Sequence, residues 1–201
     1  MDDLALTGPT LRVRIPREED AAALFEHASD PEVTRWFSWG PYASPAEARA
    51  YLARLPPQRA RGEHLDLVVE HLDAGPIGIT GLGELAARDR RAVIGSWLGR
   101  AWWGTGANHE AKALMCHLAF ALLGLERLGA YSNVEHARSQ RALERLGFRR
   151  EGVLRGYHRH AGVALDVVIF GLLRQEWEAG GLPAVPVTVS GGPPPAFVVG
   201  G

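Results

Sequence analysis

Trp102-Trp103-Gly104-Thr105-Gly106-Ala107-Asn108-His109-Glu110-Ala111-Lys112 is the stretch on which the reading of the chain turns. An apolar, strand-like run from Ala92 to Leu98 enters it, and a long helical pattern leaves it. Gly104 and Gly106 sit one residue apart at the junction, where the backbone must turn sharply or approach a ligand closely. The first turn of the following helix points unpaired N–H groups and the positive end of its dipole back at that junction, an arrangement that favours an anion, usually a phosphate. The two glycines are too close together for a P-loop. A dinucleotide fingerprint would need a small residue where His109 stands.

Around this centre the chain reads as alternating short elements. Leu11, Val13 and Ile15 alternate with arginines as a half-buried strand, and Glu18, Glu19 and Asp20 open a helix with apolar Ala21, Leu24, Phe25 and Ala28. Trp36-Phe37-Ser38-Trp39-Gly40-Pro41-Tyr42 is an aromatic cluster in a loop, either a plug for the core or one wall of a substrate pocket. Ser44-Pro45-Ala46-Glu47 has the form of a capping box, opening a helix through about Leu55. Strands are expected at Leu65–Leu72, Ile77–Leu85 and Ala92–Leu98, joined by turns short enough for antiparallel pairing. The helix from Ala107 carries a wide apolar stripe and stops at Gly124. A strand at Arg127–Asn133, a helix at Ala137–Leu146, and a closing pair at Arg149–His160 and Leu165–Leu173 complete the order.

Composition sets the bounds. The chain has 201 residues, 46% of them hydrophobic, and a net charge of −1, so it has one domain's worth of core and no overall pull toward nucleic acid or anionic membrane. Its single cysteine, Cys116, forbids an internal disulfide and suits a reducing, cytoplasmic setting. The start Met1-Asp2-Asp3 is acidic where a signal peptide would be basic, so none is expected, and no apolar run reaches membrane-spanning length. Residues 1–179 are expected to form the domain, and the Gly-, Pro- and Val-rich stretch from Gly180 to Gly201 a flexible tail. The scattered histidines lack the paired spacing of a metal site.

The glycine stretch, read as Ala101-Trp102-Trp103-Gly104-Thr105-Gly106, resembles the acyl-CoA loop of the GNAT N-acetyltransferases, Gln/Arg-x-x-Gly-x-Gly/Ala. The run Ala107-Asn108-x-Glu110-Ala111-Lys112 is similar to the Asn-Thr-Glu-Ala-Lys form found in the branch of the ribosomal-protein acetyltransferases RimJ and RimL. A second block, His136 to Phe148, resembles the family's Asn-x-x-Ser-x-x-x-Leu-Glu-Lys-x-Gly-Phe, and Glu151-Gly152-Val153-Leu154-Arg155 continues it. The joint match spans roughly residues 11–177 and is far more specific than the glycines alone.

The resemblance implies an α/β fold with a mixed six- to seven-stranded sheet and helices on both faces. It implies transfer of the acetyl group of acetyl-CoA directly to a primary amine, on a protein N-terminus or a small molecule, with no metal. A homodimer is the family-based expectation. The alternative is a non-catalytic acyl-CoA-binding or sensing module of the same fold. Cofactor contacts are implied at Ser96, Trp97 and Leu98 on the strand, at Trp103, Gly104, Thr105, Gly106, Ala107 and Asn108 in the loop, and at Asn133, His136, Ser139 and Arg145. The family's usual tyrosine acid is replaced by Leu143, so Ser139 is assigned the role of general acid or thiolate stabiliser, as in the RimL-like branch. That branch carries a Glu seven positions beyond the Glu of Glu-Gly, where this chain has His158; Glu84 is the other candidate base. His136 stands where the family has Asn and cannot reproduce an amide's paired donor and acceptor. Arg138, Arg141 and Arg145 form one helical stripe, either a solvated face or a contact for the 3′-phosphate of CoA.

Overall fold

Period-two alternation dominates the sequence, and the computed structural model, which describes residues 3–160, 162–180 and 185–199, resolves it into a sheet. The chain runs β1 (Ala5–Thr7), β2 (Leu11–Arg14), α1 (Ala21–Ala28), α2 (Pro31–Thr34), α3 (Pro45–Ala60), β3 (His64–His71), β4 (Gly75–Ala86) and β5 (Arg91–Leu98). It continues through α4 (Ala107–His117), β6 (Arg127–Asn133), α5 (Ala137–Arg145), β7 (Arg149–His160), β8 (Val163–Leu173), α6 (Arg174–Glu178) and β9 (Thr188–Ser190). The spatial order is β7-β8-β6-β5-β4-β3-β2-β1-β9, antiparallel at every pairing except β5 with β6. Among the described residues that makes nine strands, against the six or seven expected; the short edge strands β1 and β9 account for the difference.

Alternation sends the strand side chains to two cores. Leu65, Leu67, Leu82, Ile94, Leu128 and Ala130 meet α4 and α5 on one face. Val68, Ile79 and Trp97 meet α1 and α3 on the other. α4 ends in a turn of π-helix, Leu118–Leu122, and its Leu114, Met115, Cys116, Leu118 and Phe120 are fully buried. α3 runs on to Ala60 through Pro56 and Pro57, past the stop expected at Leu55, because Arg59 continues the buried face of Leu52 and Leu55 beyond the prolines.

The C-terminal stretch corrects the expectation of a free tail. β9 pairs antiparallel with β1, Ala5 opposite Ser190 and Thr7 opposite Thr188. Phe197 and Val199 are buried in the larger core, and the Val199 N–H donates to the Leu123 carbonyl at 2.9 Å. An apolar pair in a Gly/Pro-rich background suffices to return the chain to the sheet, where it also covers an open edge. Residues 181–184, 200 and 201 of that stretch lie outside the described residues. Among the described residues no helix is long and apolar enough to cross a membrane.

Candidate active site

The site begins where one pairing stops. β5 and β6 are in parallel register only from Arg91↔Arg127 to Val93↔Gly129. Beyond that they diverge, so from Ile94 to Leu98 one edge of β5 has no strand beside it, while the other remains paired with β4 down to Gly78↔Leu98. This leaves backbone amides facing a gap between two strands, which an extended ligand with amides of its own can fill.

The glycine loop closes the far end of the gap. Gly104 and Gly106 take φ of +80° and +98°, and a Cβ on either would meet nothing within 4 Å, so both are selected by backbone conformation over an open approach. Gly106 is the N-cap of α4. Among the described residues the N–H groups of Thr105, Gly106 and Asn108 have no hydrogen-bond partner; that of Ala107 reaches Thr105 Oγ1 at 3.3 Å. The Thr105 hydroxyl donates to the Trp102 carbonyl at 2.9 Å and Trp103 Nε1 to the Leu98 carbonyl at 2.9 Å, fixing the loop to the end of β5. Free N–H groups at a helix N-terminus beside a strand gap fit a pyrophosphate followed by an amide-bearing chain.

The side chains expected at this site divide between the two faces. Ser96 points toward α4, where its hydroxyl lies 3.1 Å from Asn108 Oδ1 and accepts from Lys112 Nζ at 2.9 Å. Lys112 is buried, and desolvation lowers its pKa to about 8. Cys116, one turn on, is equally buried, its thiol pushed up to about 12. Trp97 points to the opposite face and joins Trp39 at 5.7 Å, which also contacts Phe37 and Tyr42. The aromatic loop is therefore a half-buried wall beside β5 rather than a plug. A hollow of about 380 Å³ borders this loop at Gly40, Tyr42, Glu47 and Arg54 and includes no residue of the glycine loop.

α5 supplies the other rim. Asn133 ends β6, but its Oδ1 accepts from the Glu135 N–H at 2.8 Å and its carbonyl from the His136 N–H, so it shapes the β6–α5 turn. His136 stacks on Trp36 at 5.3 Å, its Nε2 buried without a partner among the described residues. Burial, with Arg138 and Arg35 adding to it, lowers the pKa of His136 to about 4 and keeps it neutral. Arg138 lays its guanidinium over the Trp103 ring at 3.5 Å. Of the arginine stripe it is thus Arg138 that meets the glycine loop, whereas Arg145 sits exposed in the last turn of α5. Ser139 is half-buried one residue beyond Arg138, with no hydrogen bond from its hydroxyl among the described residues.

The two candidate bases come together around a residue that the sequence did not single out. Glu84 sits in a bulge of β4 with φ +51°, which turns its carboxylate toward β6, where Tyr131 donates to Oε2 at 3.1 Å. Tyr157 donates to the Tyr131 hydroxyl at 3.3 Å, and the His158 ring lies 6.0 Å from that of Tyr131. Burial, then the Tyr157 and Glu84 contacts, raise the Tyr131 pKa. The only sequence signal for Tyr131 was its parity on β6, which places it on the face opposite Leu128 and Ala130.

A mixed sheet that parts at a parallel pair, with a glycine-rich helix N-terminus across the gap, defines an acyl-CoA-dependent acyltransferase. The chain belongs to the GNAT acetyltransferases: the model of the acetyltransferase (GNAT) domain matches residues 10–149. It is 32% identical to the uncharacterized N-acetyltransferase p20 of Bacillus licheniformis over 169 residues, 83% of this chain and 94% of that one. It is 27% identical to YdaF of Bacillus subtilis, named as a ribosomal N-acetyltransferase, over 84% of this chain and 93% of that one. Among solved structures, RimJ of Mycobacterium smegmatis in complex with CoA-disulfide superposes with a TM-score of 0.78 over 90% of this chain and 96% of its own, at 22% identity. The protein is an N-acetyltransferase with acetyl-CoA as co-substrate. Among the described residues no cluster of three or more His, Cys, Asp or Glu side chains could hold a metal ion.

Proposed function

We propose that the acceptor amine approaches over the α1/α3 face of the sheet and attacks a thioester held in the gap between β5 and β6. The observation that carries this reading is the divergence beyond Val93↔Gly129, with the unpartnered N–H groups of the glycine loop at its end. Those N–H groups hold the pyrophosphate, the free edge of β5 pairs with the pantetheine amides, and Arg138 lies nearest of the stripe for a phosphate. The nitrogen lone pair forms the new C–N bond as the C–S bond breaks. Charge on the carbonyl oxygen meets the backbone N–H of Leu98, since Trp97, paired with Ile79, turns its own N–H toward β4. Ser139 protonates or hydrogen-bonds the departing thiolate, and the proton lost by nitrogen passes to Glu84, through Tyr131 or water, or to His158.

The acceptor is a primary amine, on a protein N-terminus or a small molecule; the name of YdaF favours the former. The working unit is a homodimer in the cytoplasm. Free-thiol release from acetyl-CoA tests the reading, with a panel of peptides bearing free N-termini, amino acids and simple amines. Ser139→Ala is expected to lower kcat at least tenfold while acetyl-CoA binding is kept; unchanged turnover would remove Ser139 from the mechanism.

A further inference from the structure

Four positions on the α1/α3 face stand in one row across the sheet. Asp66 of β3 is opposite Gly81 of β4, and Gly81 is opposite Gly95 of β5. Tyr131 follows on β6 across the gap, two residues past the last β5–β6 pair, as Gly95 is on β5. The centre of the row is bare. A Cβ on Gly95 would meet nothing within 4 Å, so the floor beside the free edge of β5 is open.

Asp66 closes the row from the other side. Its Oδ2 accepts from the Tyr51 hydroxyl of α3 at 2.8 Å. Its Oδ1 receives no hydrogen bond among the described residues and lies over Gly81, where a Cβ would collide with it. Because Gly81 has no side chain, one oxygen of an otherwise enclosed carboxylate lies over the glycine floor. With strands about 4.8 Å apart, the Asp66 and Gly95 backbones are about 10 Å from each other, and the carboxylate reaches over roughly half that span. No arginine or lysine pairs with Asp66 among the described residues. Burial raises its pKa, and His64 and Tyr51 act in the opposite sense. A half-enclosed carboxylate with one satisfied oxygen is completed by an N–H donor carrying positive charge.

We infer that Asp66, held by Tyr51 and given access by Gly81, is the anchor for a cationic acceptor, binding an ammonium group over the Gly81–Gly95 floor. This rests on the reading of that face as the acceptor side. It narrows the acceptor to amines presented as cations and makes Asp66 a specificity-determining residue rather than a base.

The test is binding, so it does not require that the probe be acetylated. With CoA saturating and ionic strength constant, the protein is titrated with 1,4-diaminobutane and, separately, with the neutral 1,4-butanediol, and unfolding is followed thermally. The wild type is expected to be stabilised by the diamine and not by the diol. Asp66→Asn, which keeps the shape and the Tyr51 contact, is expected to need at least tenfold more diamine for the same shift, in line with the loss of one charge-assisted hydrogen bond. Its response to acetyl-CoA alone stays as in the wild type. Equal diamine response in wild type and Asp66→Asn, equal response to diamine and diol, or no diamine response in the wild type would each overturn the assignment. The wild-type diamine and diol comparison stands even if the variant does not fold. Absence of any acetyl-CoA response would instead count against the proposed function.

Discussion

Lys112 is an ammonium group in the core with one hydroxyl, Ser96 Oγ, as its hydrogen-bond partner. Burial brings its pKa from 10.5 to about 8. In the unfolded chain the same amine titrates near 10.4, so the folded state disfavours the proton by about 2.4 pH units, or about 3 kcal/mol at 1.36 kcal/mol per unit. Below pH 8 both states are protonated and the whole cost is present. Between pH 8 and 10.4 the folded protein gives up its proton first, the unfolded state holds more protons, and stability from this group rises with pH. Lys112→Met removes the charge at nearly constant length and fills the same space with apolar atoms. Losing the bond to Ser96 gives back about 1 kcal/mol. The variant is therefore expected to be more stable than wild type at pH 7 by about 2 kcal/mol, roughly 4–8 °C in Tm for a chain of this size. That advantage should shrink between pH 8 and 10.4. Urea unfolding without ligand at pH 7 and pH 10 measures both points. A variant less stable than wild type at pH 7, or an advantage that does not fall with pH, would show that the buried Lys112 charge is not a net cost to the fold.

Three further outcomes are expected. Phe197→Ala leaves a cavity in the larger core and should cost about 3–5 kcal/mol in urea unfolding, whereas a tail detached from the domain would give no change. Gly106→Val forces a β-branched residue into φ +98° and should weaken acetyl-CoA binding at least tenfold by calorimetry, since the free N–H groups of the loop move with it. Glu84→Gln and His158→Ala separate the two bases: the substitution that removes the proton acceptor lowers kcat and abolishes the acidic limb of the kcat/KM profile, while the other leaves that limb in place.

Local chemistry carried much of the architecture. Strand β6 and strand β7 begin and end where alternation and glycine place them, and the helix after Gly106 starts at Ala107 as its glycines require. Ser44 is the N-cap of α3, yet its side chain makes no cap; Glu47 reaches instead to the Ala43 N–H at 2.9 Å, a choice between neighbouring donors that no spacing rule decides. What the sequence hid depends on residues distant along the chain. Trp36 finds His136, Trp103 finds Arg138, and Glu84 finds Tyr131 only after the sheet is assembled. A buried lysine and a carboxylate lying on a glycine are invisible for the same reason: burial is a property of the neighbours, here Ser96 and Gly81, and not of Lys112 or Asp66. The edge pair β1 and β9 escaped because three residues are too few to show a period.

We propose the gap beside β5 and the loop from Gly104 to Asn108 as the acetyl-CoA site. It is tested most directly by thermal unfolding with acetyl-CoA, with ATP and NAD as controls. A ligand at a hundred times its Kd adds about 2.7 kcal/mol. For a chain of this length that is a rise in Tm of roughly 5–10 °C. This rise is expected with acetyl-CoA in the wild type, none with ATP or NAD, and a much smaller one in Gly106→Val. No rise at saturating acetyl-CoA, or an equal rise in Gly106→Val, would contradict it.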